Sequence, residues 1–246
     1  LKHRKIFKKD SKILIISNYD EFFQKNLKLK GFKKVFKLNI KNHFNIIDKN
    51  FFRQEVIQHH LNFINSIKLV NKLGKFDVIV CTKLLEHTQN FKNFFNFCNN
   101  VLNKNGKLII DVPDSSKSLL QGNPMLIWEE HISYFTVKNI VSLLNYSGFK
   151  IKKIYKNQYH GGSLRTISSV SNSKNKEFNV KKLIQFENKH KIYTHNFYKN
   201  MMRKIIKKKI ILLNKLIKLK QDGYILCGIG AGAKSNTFLT FCGLDN

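Results

Sequence analysis

A chain of 246 residues, 42% of them apolar, is long enough to bury a core as one large α/β domain or as one domain and part of another. Its 45 basic against 15 acidic residues give a formal charge of +30, but the lysines run along the whole length rather than gathering in a patch. We therefore read the bias as compositional background and expect no specific nucleic-acid partner, although anionic small molecules such as nucleotide phosphates would be attracted.

No run of 18 apolar residues is present, so no membrane span and no membrane partner are expected. A signal-peptide pattern is also missing, which makes the cytoplasm the expected compartment. Cys81, Cys98, Cys227 and Cys242 form no Cys-x-x-Cys pair, so no zinc knuckle, thioredoxin-like site or other metal site is predicted. The chain begins at Leu1 and stops just after a Gly-rich stretch, so it is read as a piece of a longer protein.

In chain order, residues 12–18 read as a strand, 19–31 as a helix stopped at Gly31, and 34–39 as a second strand. The apolar positions of that helix are Phe22, Phe23, Leu27 and Leu29. Residues 50–72 suit a covering helix or two, with Phe51, Phe52, Val56, Leu61, Ile64, Ile67 and Val70 as the apolar set. His59 and His60 have no acidic or Cys neighbour at ligand spacing and read as surface or core-edge histidines.

The organising unit is strand 76–81, helix 91–102, a turn over 103–106 and strand 107–113, a βαβ arrangement. Both strands are near-continuous apolar runs, as a parallel sheet covered on both faces requires. Their carboxyl ends, 82–87 and 111–116, are polar, and ligands of such sheets bind outside those ends.

The first turn, Ser17-Asn18-Tyr19-Asp20-Glu21, lacks the glycines that let a backbone approach a nucleotide. Asn39 stands where an acidic residue would hold ribose hydroxyls, and it could still hydrogen-bond a ribose. Further on, Trp128-Glu129-Glu130-His131-Ile132-Ser133-Tyr134-Phe135 reads as too polar for a core element, and His160-Gly161-Gly162-Ser163-Leu164-Arg165 pairs His and Arg around a diglycine. After a polar linker at 168–177, residues 180–221 read as helical, with Ile206, Ile210, Leu213 and Ile217 as one stripe broadened by Ile205, Leu212, Leu216 and Leu219. We expect this helix to bridge two domains. Strand 224–227 then leads into a Gly-rich turn, 228–237, whose Lys234 and hydroxyls suit a phosphate or nucleotide but lack P-loop order.

The Leu84-Leu85-Glu86-His87 segment and the run 102–113 resemble the later motifs of class I S-adenosylmethionine-dependent methyltransferases. With the segments at 128–135, 160–165 and 228–237, the chain resembles the nucleotide-sugar C-methyltransferases. Those have an N-terminal zinc-binding segment, a central S-adenosylmethionine domain and a C-terminal nucleotide-binding-like domain. The resemblance implies a Rossmann-like α/β methyltransferase sheet over 1–166, a linker with a long amphipathic helix over 167–222, and the start of the C-terminal domain over 223–246. The zinc-binding segment has no counterpart here, and the C-terminal domain is expected to stop after its first strand and loop.

Residue by residue, the resemblance implies that His87 is an active-site histidine and that Glu130 and His131 are the Glu-His pair of a Tyr-His-Glu-His motif, with Trp128 and Glu129 replacing its Tyr and His. Tyr134 also matches. His160, Gly161, Gly162, Ser163 and Arg165 match the diglycine motif and Gly228, Gly230, Ala231, Lys234 and Asn236 the C-terminal loop, both on the substrate side. Ser17 and Asn18 match part of the first cofactor motif; Asn39 and Lys83 complete the expected cofactor-binding set.

Methylation of a carbon beside a ketone needs a base for the α-proton, stabilisation of the enolate oxygen and an aligned methyl donor. His131 is the expected base, oriented by Glu130 or Glu129, with His87 and Tyr134 on the enolate side and Arg165 and Lys234 for a diphosphate. Other readings stay open: a degenerate binding or structural relative without cofactor, a methyltransferase for another small acceptor, and, on charge alone, an RNA-binding or RNA-modifying protein. No oligomeric state is predicted.

Overall fold

The computed structural model describes residues 8–17, 21–44, 54–124, 130–158, 161–170, 179–230 and 233–244. Asn18, Trp128, Glu129, His160 and Ala231 lie outside them, as does the side chain of Lys234. By internal contacts the chain divides into two units, Leu1–Asp114 with Ile132–Leu183, and Ser115–His131 with Ile184–Asn246.

The first unit is built on strands that exclude water on both sides. In β1 (Ile13–Ile16) all four side chains are buried. It pairs in parallel with β2 (Val35–Lys37) and with β3 (Phe76–Thr82), and β3 pairs in parallel with β4 (Leu102–Pro113). A hairpin, β5 (Lys150–Asn157) and β6 (Ser163–Ser169), adds antiparallel strands, giving the order β2-β1-β3-β4-β6-β5. One face buries Ile13, Ile15, Val78, Val80, Ile109 and Ile167 against Leu27 of α1 (Glu21–Leu29). Alternate residues Leu14, Ile16, Ile79, Cys81, Leu108 and Ile110 are buried on the other face. Burial pushes the Cys98 thiol up, and the side chain stays an apolar core group. This is a Rossmann-like α/β core.

Several expected elements shift. In α1, Leu27 is buried as expected, but Phe22 and Leu29 are exposed. Residues 50–53, Phe51 and Phe52 among them, lie outside the described residues; over the rest of the expected span the second of the two alternatives holds, α3 (Gln54–His59) and α4 (Phe63–Leu73) being separated where Asn62 caps α4, its side-chain oxygen accepting from the Asn65 N–H at 3.0 Å. The buried positions of α4 are Asn65, Ser66 and Leu69, while Ile64 and Ile67 face out. A cap can override apolar spacing because it fixes the helix start and hence which face turns inward. α2 (Ile40–Phe44) is a further short helix.

The turn expected over 103–106 is instead part of β4. Phe76 pairs with Leu102 and Val78 with Lys107, so residues 103–106 bulge out of a continuous strand. Asp77 secures this region. Its Oδ1 accepts from Asn103 Nδ2 at 2.7 Å and its Oδ2 from the Lys12 N–H at 2.9 Å. α5 (Phe91–Val101) spans the gap as predicted and buries Phe94, Phe95, Phe97 and Cys98. α7 (Val137–Tyr146) opens with a reciprocal cap between Thr136 and Asn139.

The second unit contains α6 (Ser115–Gln121), most of α8 (Val180–Lys189), α9 (His195–Gln221) and α10 (Ala233–Cys242). The expected helix 180–221 breaks at residues 190–194, where Lys191 is left-handed (φ 54°) and Thr194 caps α9. Ile205 is the buried residue of α9, whereas Ile206, Ile210 and Ile217 are 47%, 51% and 54% exposed. The inward stripe is thus rotated by one residue from the expected one, which periodicity alone cannot separate when adjacent positions are both apolar. Lys208 Nζ donates to the Gln121 carbonyl at 2.9 Å and Lys209 Nζ to that of Phe241 at 2.5 Å.

Residues 224–227 form no strand, and Ile225 is 91% exposed. Apolar β-formers become a strand only when another strand takes up their backbone groups, and none does so among the described residues. The expected turn 228–237 ends early, since Lys234, Ser235, Asn236 and Thr237 belong to α10.

Asp77→Ala removes both carboxylate bonds at the β3–β4 bulge and at the chain entering β1. We expect it to destabilise the protein by roughly 2–3 kcal/mol, read as a lower denaturant midpoint. An unchanged midpoint would mean that the bulge holds without Asp77.

Candidate active site at the carboxyl ends of the strands

Because the strand interiors are apolar on both faces, chemistry-bearing side chains collect where the strands end. The order β2-β1-β3 reverses direction at β1, so the crevice between β1 and β3 opens at their carboxyl ends. Ser17 follows β1 and is buried; Lys83 follows β3 and is exposed. Lys83 is left-handed (φ 52°), and its N–H donates to the Asp111 carbonyl at 3.3 Å. Asn39 follows β2 and is partly committed, its Oδ1 accepting from the Asn42 N–H at 3.1 Å at the start of α2. The three described members of the expected cofactor set thus stand at the same edge of the sheet. An open cavity of about 270 Å³ beside Asp10, Asp77, Asn105 and Lys107 lies instead by the amino end of β3, away from these groups.

After Lys83 the chain makes a 3₁₀ turn, Leu85–His87, that buries Leu85, Glu86 and His87. Burial of His87 fits the expected active-site position, and its ring nitrogen and a Glu86 carboxylate oxygen lie within 4.8 Å of each other. Glu86 is a site residue the sequence reading passed over. It is 2% exposed, and its Oε2 has no hydrogen-bond partner among the described residues. Burial is the main cause that pushes its carboxyl up to about 7; its own backbone N–H and the Lys83 ammonium work against the rise, and the Asp111 carboxylate adds to it.

The Glu86 main chain is equally engaged. Its carbonyl accepts from the Ile132 N–H at 3.0 Å and the Ser133 N–H at 3.1 Å. This pins the segment that runs from Ile132 to the half-buried Tyr134, whose carbonyl accepts from Asn139 Nδ2 at 2.9 Å. Glu130 (exposed) and His131 (half-buried) directly precede that segment in the chain and fall within the second unit.

The diglycine turns out to be the β5–β6 hairpin. Gly161 and Gly162 have φ of 86° and 122°, conformations that favour glycine. The Gly162 carbonyl accepts from the Asp114 N–H at 3.0 Å, which fixes the hairpin to the end of β4. Ser163 starts β6 opposite Pro113, and Arg165 stands opposite Asp111. Arg165 Nε and Nη2 both donate to Asp111 Oδ2, at 2.7 and 2.6 Å. Lys156 pairs with the buried Asp114 at 3.1 Å. The cation expected to meet a diphosphate is therefore already shared with a carboxylate. Asp111 and Asp114 join Glu86 as site groups that the motif reading missed. Gly228, Gly230 and Asn236 lie in the second unit; Gly230 has φ 117° and Asn236 is exposed on α10.

A folded-state carboxyl near 7 against about 4.5 unfolded means that the native state holds the proton more tightly. Its stabilising effect is full below the unfolded value and is lost as pH rises through 7. Glu86→Gln should remove that dependence. Between pH 5 and 8 the wild type should lose about 2.5 kcal/mol relative to the variant, measured by urea unfolding at each pH. Parallel stability curves would show an ordinary carboxylate.

Comparison with known proteins places this arrangement. A methyltransferase-domain family model matches residues 14–154, more than half of the chain, and a C-methyltransferase C-terminal-domain model matches residues 158–246. No curated protein matches the chain. Among solved structures, an S-adenosylmethionine-dependent methyltransferase from Aquifex aeolicus is 10% identical, over 68% of this chain and 87% of that one, with a TM-score of 0.44. A methyltransferase of the same description from Anabaena variabilis is 11% identical over 68% and 80%, with a TM-score of 0.44. The 1,6-didemethyltoxoflavin-N1-methyltransferase of Burkholderia thailandensis is 10% identical over 65% and 71%, with a TM-score of 0.41. With a family model matching more than half of the chain, from β1 through β4 and into β5, the chain belongs to the methyltransferase-domain family.

Proposed function

We propose that this protein transfers a methyl group from S-adenosylmethionine to a carbon beside the ketone of a nucleotide-linked sugar. The observation that carries the carbon-acceptor reading is the match of residues 158–246 to a C-methyltransferase C-terminal domain, directly after the methyltransferase-domain match. The bound cofactor supplies an electrophilic methyl group on a sulfonium centre. Ser17, Asn39 and Lys83, with Asn18, are the residues proposed to hold it, since they follow the strands flanking the crevice. Ser17 stands, buried, where this turn would ordinarily carry glycines.

In this reading His131 takes the α-proton and Glu130 orients it. His87 and Tyr134 hold the enolate oxygen by hydrogen bonds, which keeps negative charge on oxygen until the carbon attacks. In the first unit Arg165, with His160 and the diglycine, is proposed to meet the nucleotide diphosphate; in the second unit Gly228, Gly230, Lys234 and Asn236 are proposed, separately, as substrate-binding residues. Among the described residues no helix is long and apolar enough to cross a membrane. We place the enzyme in the cytoplasm.

The test is turnover with nucleotide-linked keto-sugars. His131→Ala should lower kcat about 10²–10⁴-fold and stop exchange of the substrate α-proton with deuterated solvent. Retained exchange in the variant would remove His131 from the base role. Methylation of a non-sugar acceptor in preference to every keto-sugar nucleotide would favour the other small-molecule reading.

A further inference from the structure

We propose that Glu86 is a positioning residue that stores and exchanges a proton with His87 at the carboxyl end of β3. Four observations point there. The side chain is 2% exposed, yet it carries an ionisable group. Its Oε2 is unpartnered among the described residues, so the buried carboxyl has an oxygen able to bear and donate a proton. A His87 ring nitrogen stands within 4.8 Å of a Glu86 carboxylate oxygen, a gap that one water or a small rotation closes. Finally, two N–H groups donate to the Glu86 carbonyl and hold the residue in place.

The charged surroundings favour a mobile proton. From β4 comes Asp111, whose charge disfavours a second carboxylate but is shared with Arg165. Lys83 opposes this from the end of β3. The turn itself supplies His87. From α3 comes the uncharged Gln58, whose Oε1 accepts from the Gln89 N–H at 2.7 Å, and the pinned segment carries Tyr134. Burial pushes the Glu86 carboxyl up to about 7, so near neutral pH it is found both protonated and ionised and can take up or give a proton.

The pair serves a need of the proposed reaction, and its purpose rests on that reading. Carbon methylation breaks the acceptor C–H bond and the donor S–CH₃ bond. The C–H electron pair becomes the new C–C bond, sulfur keeps its own pair, and one proton is left over. The base takes that proton first, and Glu86 with His87 then holds it and releases it to solvent.

The experiment is NMR titration of the full chain, with ¹³C in the glutamate carboxyl and histidine ε1 positions. Glu86→Gln and His87→Gln assign the two signals. We expect a single glutamate carboxyl with a midpoint near 7 that disappears in Glu86→Gln, and a His87 midpoint that moves by at least half a pH unit in that variant. In His87→Gln the Glu86 midpoint should move in turn. Because the two variants report on each other, failure of one to fold leaves the other arm intact. A Glu86 midpoint in the ordinary glutamate range, about 4.3, or a His87 curve unaffected by Glu86→Gln, would overturn the proposal. Neither arm uses cofactor or substrate, so this outcome is separate from failure of the methyl-transfer reading.

Discussion

The structure depends on one constraint: the central strands are buried on both faces. β1, residues 78–81 of β3 and residues 108–110 of β4 are buried, so polar chemistry is pushed toward the strand ends. At the carboxyl ends this concentrates Glu86, His87, Asp111, Asp114, Arg165 and Lys156 in one unit. The same constraint explains why Asp77, at the opposite end of β3, is tied down by two hydrogen bonds.

The hairpin β5–β6 converts that edge into a site. An antiparallel strand beside β4 places Arg165 opposite Asp111 and Ser163 opposite Pro113, and the left-handed glycines let the turn reach the Asp114 N–H. The Arg165–Asp111 pair has two consequences. It sets the orientation of a guanidinium at the mouth of the site, and it tempers the field that Asp111 exerts on Glu86.

Much of this was legible from residues alone. The apolar runs announced β1, β3 and β4, because parallel strands buried on both faces need them, and the polar ends announced where the crevice opens. His87 is buried beside Glu86 at the end of β3. The partners of the site were not legible. Asp111 meets Arg165 only through an antiparallel register across a sequence separation of 54 residues, which no local pattern encodes. Glu86 was hidden by its neighbour: beside a histidine, a single carboxyl in Leu84-Leu85-Glu86-His87 draws little notice, although a charge inside an apolar run directly after a buried strand is itself the signal. The reading failed where apolar composition outran pairing. Residues 224–227 look like a strand but have no partner, and α9 offers two adjacent apolar stripes of which Ile205 marks the inner one.

The central claim is that a glycine-free first turn after β1 still serves a nucleoside cofactor at the β1–β3 crevice. Calorimetric titration of the purified chain with S-adenosylmethionine, at moderate salt to screen the overall positive charge, tests it most directly. The account predicts one site per chain with a dissociation constant in the micromolar range, on the order of −8 kcal/mol of binding free energy. A folded protein that takes up no S-adenosylmethionine would contradict it and leave the fold as a binding or structural relative of the methyltransferases.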